Sequence, residues 1–343
     1  MTKGRSSKSV TIKQVASLAG VSPGTVSNML NGTAPVAKET MERITNAIEE
    51  LNYVPNVIAS SLRSKTGKVI DVLTPNMNNT FYTRILSTFT ELADKNGYYA
   101  RVIGFEYSVE REKRVLSNLQ HHMPAAVVIF NGFGDEEEIY KLIKRGIKVI
   151  LADRVSQDGS IPSISFDNRK IFDDIVKMYK KKGYKKIGLF TELPQIQNIR
   201  ERMDNFLSTL KKYGYPADES VVFAREDLRL DNLKNGYQYM KEILGSMDKK
   251  ELPDAWVASS DLLAIGMMKA ARENGYSIPG ELGIMGFDNI AVAEYVEPGL
   301  TTAEQGQELM GRELWKMVVG LLKGDKVEKN KVLPQKLIIR GSC

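Results

Sequence analysis

Hydrophobic residues follow two different periods along this chain, and the period changes near residue 68. Close to the N-terminus, Ile12, Val15, Ala16 and Ala19 recur at helical spacing and would lie on one face of a helix. Beyond residue 68, short apolar runs alternate with longer amphipathic stretches. The change predicts a small helical region followed by a larger region of strands and helices.

The boundaries of two short helices are marked by capping residues. Thr11 and Gln14 have the spacing of a capping box, in which each side chain bonds to the backbone of the other residue. Gly20 suits a turn, and Ser22 followed by Pro23 suits the start of a second helix that runs to residue 31. Two short helices joined by a tight turn form the helix-turn-helix layout, whose second helix reads the major groove of DNA.

A third helix is predicted over residues 36–51. Ala37 stands at its start, and alanine is a weak N-cap, which costs on the order of 1 kcal/mol of helix stability. The stripe that faces the core is predicted to consist of Met41, Ile44, Ile48 and Leu51.

The region that follows is predicted to contain parallel sheets covered by helices on both faces, because strand-like and helix-like segments alternate. The strand-like segments are residues 69–73, 100–103, 126–130, 148–151, 186–190, 255–258 and 282–286. The helical segments include residues 81–96, 109–121, 169–182, 200–213 and 261–274. The alternation runs twice, over residues 68–165 and 166–290, which predicts two similar units.

Length and composition indicate a multidomain globular protein. The chain has 343 residues, of which 42% are hydrophobic and 26% are charged. Residues 1–66 hold eight Lys and Arg against four Glu, a net charge of +4 within a total of +6. Such a concentration of cations suits the phosphates of nucleic acid. An ordinary basic surface is the alternative, and the helix pair favours DNA.

Enzyme, membrane and exported classes find little support in the sequence. His121 and His122 are the two histidines, and no nucleophile motif, phosphate loop or Cys/His metal cluster accompanies them. The longest apolar runs, such as residues 125–130, are too short to span a bilayer. The basic N-terminus lacks the apolar core of a secretory signal, and Cys343 has no cysteine with which to pair. We expect a cytoplasmic protein without cofactor or metal.

Four motifs resemble the lactose-repressor/galactose-repressor family of bacterial transcription regulators, and further matches extend over nearly the whole chain. The motifs are Thr25-Val26-Ser27, Leu30-Asn31-Gly32, Leu51-Asn52-Tyr53-Val54-Pro55-Asn56 and Ala59-Ser60-Ser61-Leu62-Arg63.

The resemblance implies an all-α helix-turn-helix domain followed by an α/β core of two doubly wound lobes, similar to periplasmic binding proteins. The implied domains are a DNA-binding headpiece (1–55), a hinge helix and linker (56–67), and a two-lobed core (68–343). Three segments should cross between the lobes. Lobe 1 is expected to hold residues 68–165 and 299–325, and lobe 2 residues 166–298 and a C-terminal strand.

DNA contacts are implied for residues of the recognition helix and of the hinge. These are Thr11, Ser22, Pro23, Gly24, Thr25, Ser27, Asn28, Asn31, Asn56, Ala59, Leu62 and Arg63. Asn28 stands where the family most often has Arg. Because Arg suits guanine and Asn suits adenine, we hypothesise an operator altered at the facing base pair, with a backbone contact as the alternative.

The hinge is too short to form a stable helix alone in water. The resemblance implies that it folds against DNA and a partner copy, with Leu62 wedged between base steps of the minor groove. A linker residue that packs on the core is the alternative. A homodimer on a palindromic, double-stranded operator follows from the resemblance.

A small-molecule effector is implied between the lobes, near the carboxyl ends of the strands. Candidate contacts are Asn79, Phe81, Asp153, Arg202, Ser260, Asp288 and Gln305. Asp153 and Asp288 can accept bonds from hydroxyl pairs, and Arg202 can donate two bonds to oxygen atoms. The alternatives are helix capping by Asp261 and Asp167, and a core position for Phe81.

Several departures from the family leave the effector open. The family's cleft aromatic near Asp227 and Leu228 is not evident, the stretch 229–236 looks like a lengthened loop, and Asn205 replaces a common Gly. A sugar or sugar phosphate is favoured over a nucleobase corepressor or a protein partner. The sequence leaves open whether the ligand induces or corepresses. A ligand-binding protein without a DNA role is the competing class.

Overall fold

The structure is a computed structural model, and it describes residues 10–31, 34–53, 67–133 and 136–343. The chain divides into two compact units, with the division between Gly67 and Lys68. The predicted hinge contacts Asn56, Ala59, Leu62 and Arg63 lie outside the described residues, and the side chain of Asn31 does as well.

The N-terminal unit is a small bundle of three helices. They are α1 (Ile12–Ala19), α2 (Pro23–Asn31) and α3 (Lys38–Glu50). Their apolar faces bury Val15, Ala16, Ala19, Val26, Ile44 and Ala47 in one cluster, with Met29 packed beside them. The prediction for Met41 is wrong, since this side chain is 37% exposed. Ala47 is buried within the same stretch of α3 instead.

Two six-stranded sheets form the second unit. The strands are β1 (Val69–Thr74), β2 (Tyr99–Gly104), β3 (Ala126–Phe130), β4 (Lys148–Ala152), β5 (Ser163–Phe166), β6 (Ile187–Thr191), β7 (Val222–Ala224), β8 (Ala255–Ala258), β9 (Gly283–Asp288), β10 (Thr301–Glu304), β11 (Asn330–Leu333) and β12 (Lys336–Ile338). The first sheet has the order β11-β5-β4-β3-β1-β2 and is parallel throughout. The second has the order β12-β10-β9-β8-β6-β7, and β12 is antiparallel to β10.

Helices cover both faces of each sheet, which explains why the strands read as continuous apolar runs. They are α4 (Thr80–Lys95), α5 (Val109–His122), α6 (Glu136–Lys144), α7 (Asn168–Lys182), α8 (Gln197–Tyr213), α9 (Asn232–Ser246), α10 (Asp261–Glu273) and α11 (Gln307–Lys323). Alternate residues of β3 enter separate clusters, with Val128 on one face and Val127 and Ile129 on the other. Trp256 and Val257 of β8 divide in the same way. The two doubly wound lobes confirm the predicted fold class.

The chain crosses between the lobes three times. The crossings lie at Asp167, at Gln305–Gly306 and at residues 334–335, where one sheet ends and the next element belongs to the other lobe. The expected boundary at residue 299 is wrong. β10 pairs with β9 in parallel register, with Thr302 beside Gly286, so it belongs to lobe 2. The return to lobe 1 begins after Glu304, because α11 packs in the core of the first lobe.

The stretch 229–236 is not a lengthened loop. A single 3-10 turn spans Glu226–Arg229, and α9 begins at Asn232. The carboxylate of Asp231 accepts a bond from the backbone N of Lys234 at 3.2 Å, which caps the helix. Residues 232–236 therefore form the first turns of a helix, although their polar and glycine-containing sequence is typical of a loop.

Candidate functional site

The start of α1 and the start of α2 are both capped as predicted. Gln14 Oε1 accepts a bond from the backbone N of Thr11 at 2.8 Å and one from its hydroxyl at 3.0 Å. Ser22 Oγ accepts from the backbone N of Thr25 at 3.1 Å, and the two hydroxyls lie 2.9 Å apart. Ala37 contributes no side-chain cap to α3, because the alanine side chain has no polar atom.

The described DNA-contact candidates lie at the start of α1 and from the start to the middle of α2. Thr11, Ser22, Pro23 and Gly24 are exposed, while Thr25, Ser27 and Asn28 are half-buried. Helix N-termini carry partial positive charge and free N–H groups, which suit phosphate oxygens. The arrangement leaves the start of α2 open to a duplex, and individual DNA contacts stay predictions.

The turn between α1 and α2 is held by a residue that the sequence did not single out. Gly20 adopts φ 66° and ends α1. Arg43 of α3 donates from Nε and Nη2 to the carbonyl of Ala19 at 3.1 and 2.7 Å, and from Nη2 to the carbonyl of Gly20 at 3.1 Å. A cation is thereby placed at the negative end of α1, where orphan carbonyls need donors.

Replacement of Arg43 with Met should loosen this turn and lower the stability of the N-terminal unit by about 1 kcal/mol, because the charged donors are lost. Faster hydrogen exchange at the amides of Gly20 and Val21 would show it. Lys38→Met, on the exposed surface of the same helix, serves as the control. Unchanged exchange in the Arg43 variant would contradict the proposed role of the guanidinium.

A cleft lies between the two lobes of the second unit. It collects residues from the carboxyl ends of the strands: Asn131 follows β3, Asp153 follows β4 and Glu192 follows β6. All seven predicted effector residues line it, together with Tyr82, Tyr107, Asn131, Glu192, Leu193, Ile196, Asn198, Ile199, Arg229 and Ser259. The cleft therefore lies at the carboxyl ends of the strands, where the sequence predicts it.

Arg202 is the buried cation of this cleft. Its Nη1 donates to the carbonyl of Ser259 at 2.9 Å, and its Nη2 donates to Gln305 Oε1 at 3.0 Å. The guanidinium stacks over Phe287 at 4.7 Å from the ring centroid. Since Gln305 is a crossing residue, Arg202 ties lobe 2 to the segment on which the lobes would pivot.

Asp153 bridges the two lobes. Its Oδ2 accepts from Asn131 Nδ2 of lobe 1 at 2.7 Å and from Asn198 Nδ2 of lobe 2 at 2.8 Å. Burial raises the pKa of Asp153, and the charge of Arg202 and the two amide bonds oppose that rise. A ligand hydroxyl that bonds to Asp153 would compete with, or add to, an existing contact between lobes.

The remaining predicted residues have unequal roles. Asn79 and Ser260 cap helices, accepting from the backbone N of Phe81 at 2.9 Å and of Leu263 at 3.3 Å. Phe81 is buried in the core of lobe 1, with its ring edge-on to Tyr82 and Phe166, so the packing alternative applies to most of this side chain. Asp288 is buried, and burial followed by the charge of Asp261 raises its pKa.

Polar atoms without a protein partner are concentrated in the residues that line the cleft. Five of the nine such atoms among the described residues belong to the cleft lining, namely Asn131 Oδ1, Asn198 Oδ1, Arg202 Nε, Arg229 Nε and Gln305 Nε2, and all of them are buried. Buried polar groups are normally paired, and an unpaired one costs about 1–3 kcal/mol. Three donors and two acceptors therefore remain for a polar ligand.

Arg229 had no signal in the sequence because it lies in a 3-10 turn. From lobe 2, its guanidinium reaches the rings of Tyr107 and Phe133 in lobe 1, at 5.9 and 5.7 Å. It donates to Gln195 Oε1 at 2.5 Å and to Glu226 Oε1 at 2.6 Å. Its side chain is 12% exposed. A paired cation thus occupies the region where the family resemblance implies an aromatic ring.

A second depression, here called the groove, runs along the surface of both lobes. Lobe 1 contributes residues of α4 and α11, and lobe 2 contributes Asn289–Val292. Leu309 and Val292 are 40% and 43% exposed, and Arg84 pairs with Glu308 at 3.0 Å. The groove offers mixed apolar and charged contacts.

Neither a membrane span nor a metal cluster is found within the described ranges. None of their helices is long and apolar enough to cross a bilayer. No group of three or more His, Cys, Asp or Glu side chains there is arranged to hold a metal ion.

Two family models match the chain. Residues 11–56 match "Bacterial regulatory proteins, lacI family", and residues 176–343 match "Periplasmic binding protein-like domain". The HTH-type transcriptional regulator KdgR of Bacillus subtilis (strain 168) is 30% identical over 347 residues, which cover 99% of each chain. The HTH-type transcriptional regulator RegA of Clostridium saccharobutylicum is 29% identical, over 96% of this chain and 98% of its own.

Solved structures show the same architecture. A lac repressor dimer bound to operator and the anti-inducer ONPF superposes with a TM-score of 0.82 at 26% identity, and the match covers 98% of this chain and 99% of that one. A lac repressor bound to ONPG in the repressed state also gives 0.82, at 25% identity, with 98% and 100% covered.

Proposed function

Because the chain belongs to the lacI family of bacterial regulatory proteins and is a DNA-binding transcriptional regulator, we propose that it is a repressor controlled by a small molecule in the cleft between the lobes. It acts in the bacterial cytoplasm, on the nucleoid. The observation that carries the ligand proposal is the set of five buried polar atoms without a protein partner, all of them on residues that line one cleft.

The proposed ligand is an uncharged polyhydroxyl compound, such as a sugar, in preference to a sugar phosphate. Asp153, Asp288 and Glu192 line the cleft, against the two cations Arg202 and Arg229. Both arginines already donate to protein acceptors. A phosphate would therefore meet three carboxyl groups in a buried site in which both cations already have protein partners. Hydroxyl groups can donate to the carboxylates and accept from the free Nε–H and amide donors.

The proposed assembly is a homodimer joined through the groove. A symmetric dimer would present two headpieces to a palindromic operator, and one small reader seldom suffices for selective binding in a genome. Since α4 and α11 come from lobe 1 and Asn289–Val292 come from lobe 2, a partner copy seated there would contact both lobes. Closure of the lobes on a ligand would then change the dimer and the spacing of its headpieces.

A binding selection from random duplexes, followed by titration with candidate ligands, tests this function. We expect a palindromic site and a ligand that raises the melting temperature in a concentration-dependent way and shifts the affinity for that site. Glucose, glucose 6-phosphate, gluconate and adenine would serve as the first probes. A preference for glucose 6-phosphate would contradict the charge argument, and a lack of preference for any duplex would contradict the proposal as a whole.

The proposed minor-groove wedge is tested at Leu62, which the sequence singles out in the hinge. Leu62→Ala should weaken binding to the selected operator by about 30-fold or more, because unstacking of the base step is no longer supported. Binding to random duplex should change little, since phosphate contacts dominate it. Ser61→Ala is the control. Equal losses on both kinds of duplex would show that Leu62 acts as a packing residue instead.

A further inference from the structure

Asp261 is a buried carboxylate that lies outside the lining of the cleft. It is the first residue of α10, directly after the N-cap residue Ser260. Its Oδ1 accepts from Thr302 Oγ1 at 2.5 Å, and its Oδ2 accepts from the backbone N of Ile290 at 2.8 Å. Gly286 makes this approach possible, since a Cβ there would lie 2.2 Å from Asp261 Oδ1. The carboxylate therefore joins α10, β10 and the segment after β9.

That segment is the corner between the cleft and the groove. Asp288 lines the cleft, while Asn289 and Ile290 line the groove. Asp288 and Asn289 both have positive φ, at 108° and 54°, a conformation that costs energy for residues other than glycine. The backbone N of Asn289 donates to Thr302 Oγ1 at 3.2 Å. Thr302 and Asp261 thus hold the corner in its strained form.

Further side chains brace the same corner. Asn289 accepts from Arg340 Nη2 at 2.9 Å and donates to Glu304 Oε1 at 3.1 Å. Gln307 Nε2 donates to the backbone carbonyl of Asp288. A displacement of the corner on the cleft side therefore has a direct path to Ile290 and the groove.

The electrostatics couple the two carboxylates. Burial raises the pKa of Asp261 from its ordinary value of 3.8 to about 7, opposed by the bonds from Thr302 and Ile290 and by the charge of Arg340. Asp288 is raised in the same direction by burial and then by Asp261, with Arg202 opposing and Glu192 and Asp153 adding to the rise. Two buried carboxyl groups that interact in this way titrate as a pair.

We propose that Asp261 is a positioning residue that transmits a change of charge at Asp288 to the backbone of Ile290 on the groove face. The proposal rests on the proposed function in one respect, namely that a ligand engages Asp288. When a ligand hydroxyl bonds to Asp288, the proton distribution of the pair changes, and with it the strength of the bond from Ile290 N–H to Asp261. The groove segment then moves in response to the cleft.

The amide of Ile290 reports this link without any ligand. In full-length protein with ¹⁵N-labelled isoleucine, its cross-peak should titrate with a midpoint near 7, because its acceptor gains or loses charge there. Asp261→Asn should abolish the titration. Asp288→Asn should leave this midpoint in place and remove any further step at higher pH, since Asp288 ionises only after Asp261 carries its charge. Thr302→Val should move it upward, since a bond to the ionised form is lost, and this variant serves if Asp261→Asn does not fold.

Asp254→Asn is the matched control, because that carboxylate also accepts backbone N–H bonds, from Lys185 and Lys186, away from the corner. It should leave the Ile290 titration unchanged. An Ile290 amide that does not titrate between about pH 5 and about pH 9 would overturn the proposal, as would an unchanged titration in Asp261→Asn. Neither result depends on a ligand, so the proposed function would stand.

The last experiment uses a ligand that has been found to raise the melting temperature. Its addition should shift the Ile290 midpoint in the wild type and should not do so in Asp288→Asn. A ligand that binds the cleft and leaves the midpoint unchanged would contradict transmission through Asp261.

The raised pKa of Asp261 also predicts that the free energy of unfolding falls as the pH rises from 3.8 toward about 7. In this range the folded chain holds a proton that the unfolded chain has released.

Discussion

Arg202→Met should weaken the response to the ligand while DNA binding persists. The aliphatic stem would keep its packing on Phe287, but the charge and the bonds to Ser259 and Gln305 would be lost. Removal of one partner from a buried charged hydrogen-bond network costs about 2 kcal/mol or more, which corresponds to about 30-fold in ligand affinity. Titration of the ligand found in the thermal screen would measure the loss.

The control for Arg202→Met is Arg200→Met on the same helix. Arg200 is exposed and bonds to the carbonyl of Pro194 at 3.3 Å, so its loss should leave ligand affinity unchanged. The Arg202 variant should also raise the pKa of Asp153 further, since the cation that opposes the rise is absent. Wild-type ligand affinity in the Arg202 variant would remove this residue from the proposed contacts.

Leu309→Asp should separate the proposed dimer and reduce operator affinity by about 100-fold or more. Leu309 is the third residue of α11, 40% exposed in the groove, and a buried charge at a subunit interface is costly. Two linked headpieces bind with an avidity gain of about 10²–10⁴ over one, and a monomer loses that gain. Sedimentation would give the mass and fluorescence anisotropy the affinity.

Leu233→Asp provides the matched control for the dimer prediction. Leu233 is the second residue of α9, is similarly exposed and lies outside the groove. Aspartate suits the first turn of either helix, so folding should tolerate both changes. A dimer that survives Leu309→Asp with full operator affinity would place the contact between copies elsewhere.

The elements that can be predicted from the sequence are those whose residues form an apolar run or a helical stripe. The strands with apolar runs, such as Ala126–Phe130 and Ala255–Ala258, coincide with the predicted segments, because burial on both faces demands such runs. Two short strands lack such a pattern and could not be predicted from the sequence. Residues 163–166 and 301–304 read Ser-Ile-Ser-Phe and Thr-Thr-Ala-Glu, and pairing with neighbours rather than composition makes them strands.

The cleft could be located because parallel strands end at one edge, which brings Asp153, Asp288 and Gln305 together despite their separation in sequence. The partners of these residues could not be predicted. Asn198 meets Asp153 only because the two lobes face each other, and Arg229 reaches lobe 1 from a 3-10 turn. Such contacts depend on the relative placement of lobes, which local periodicity does not encode.

Because residues of both lobes line the groove, a dimer joined there has a genetic consequence. If each copy contacts both lobes of its neighbour, a subunit that cannot sense the ligand would hold its partner in the ligand-free arrangement. A bacterium that carried a ligand-blind allele beside the normal gene would contain mixed pairs, and the altered phenotype would be dominant rather than recessive.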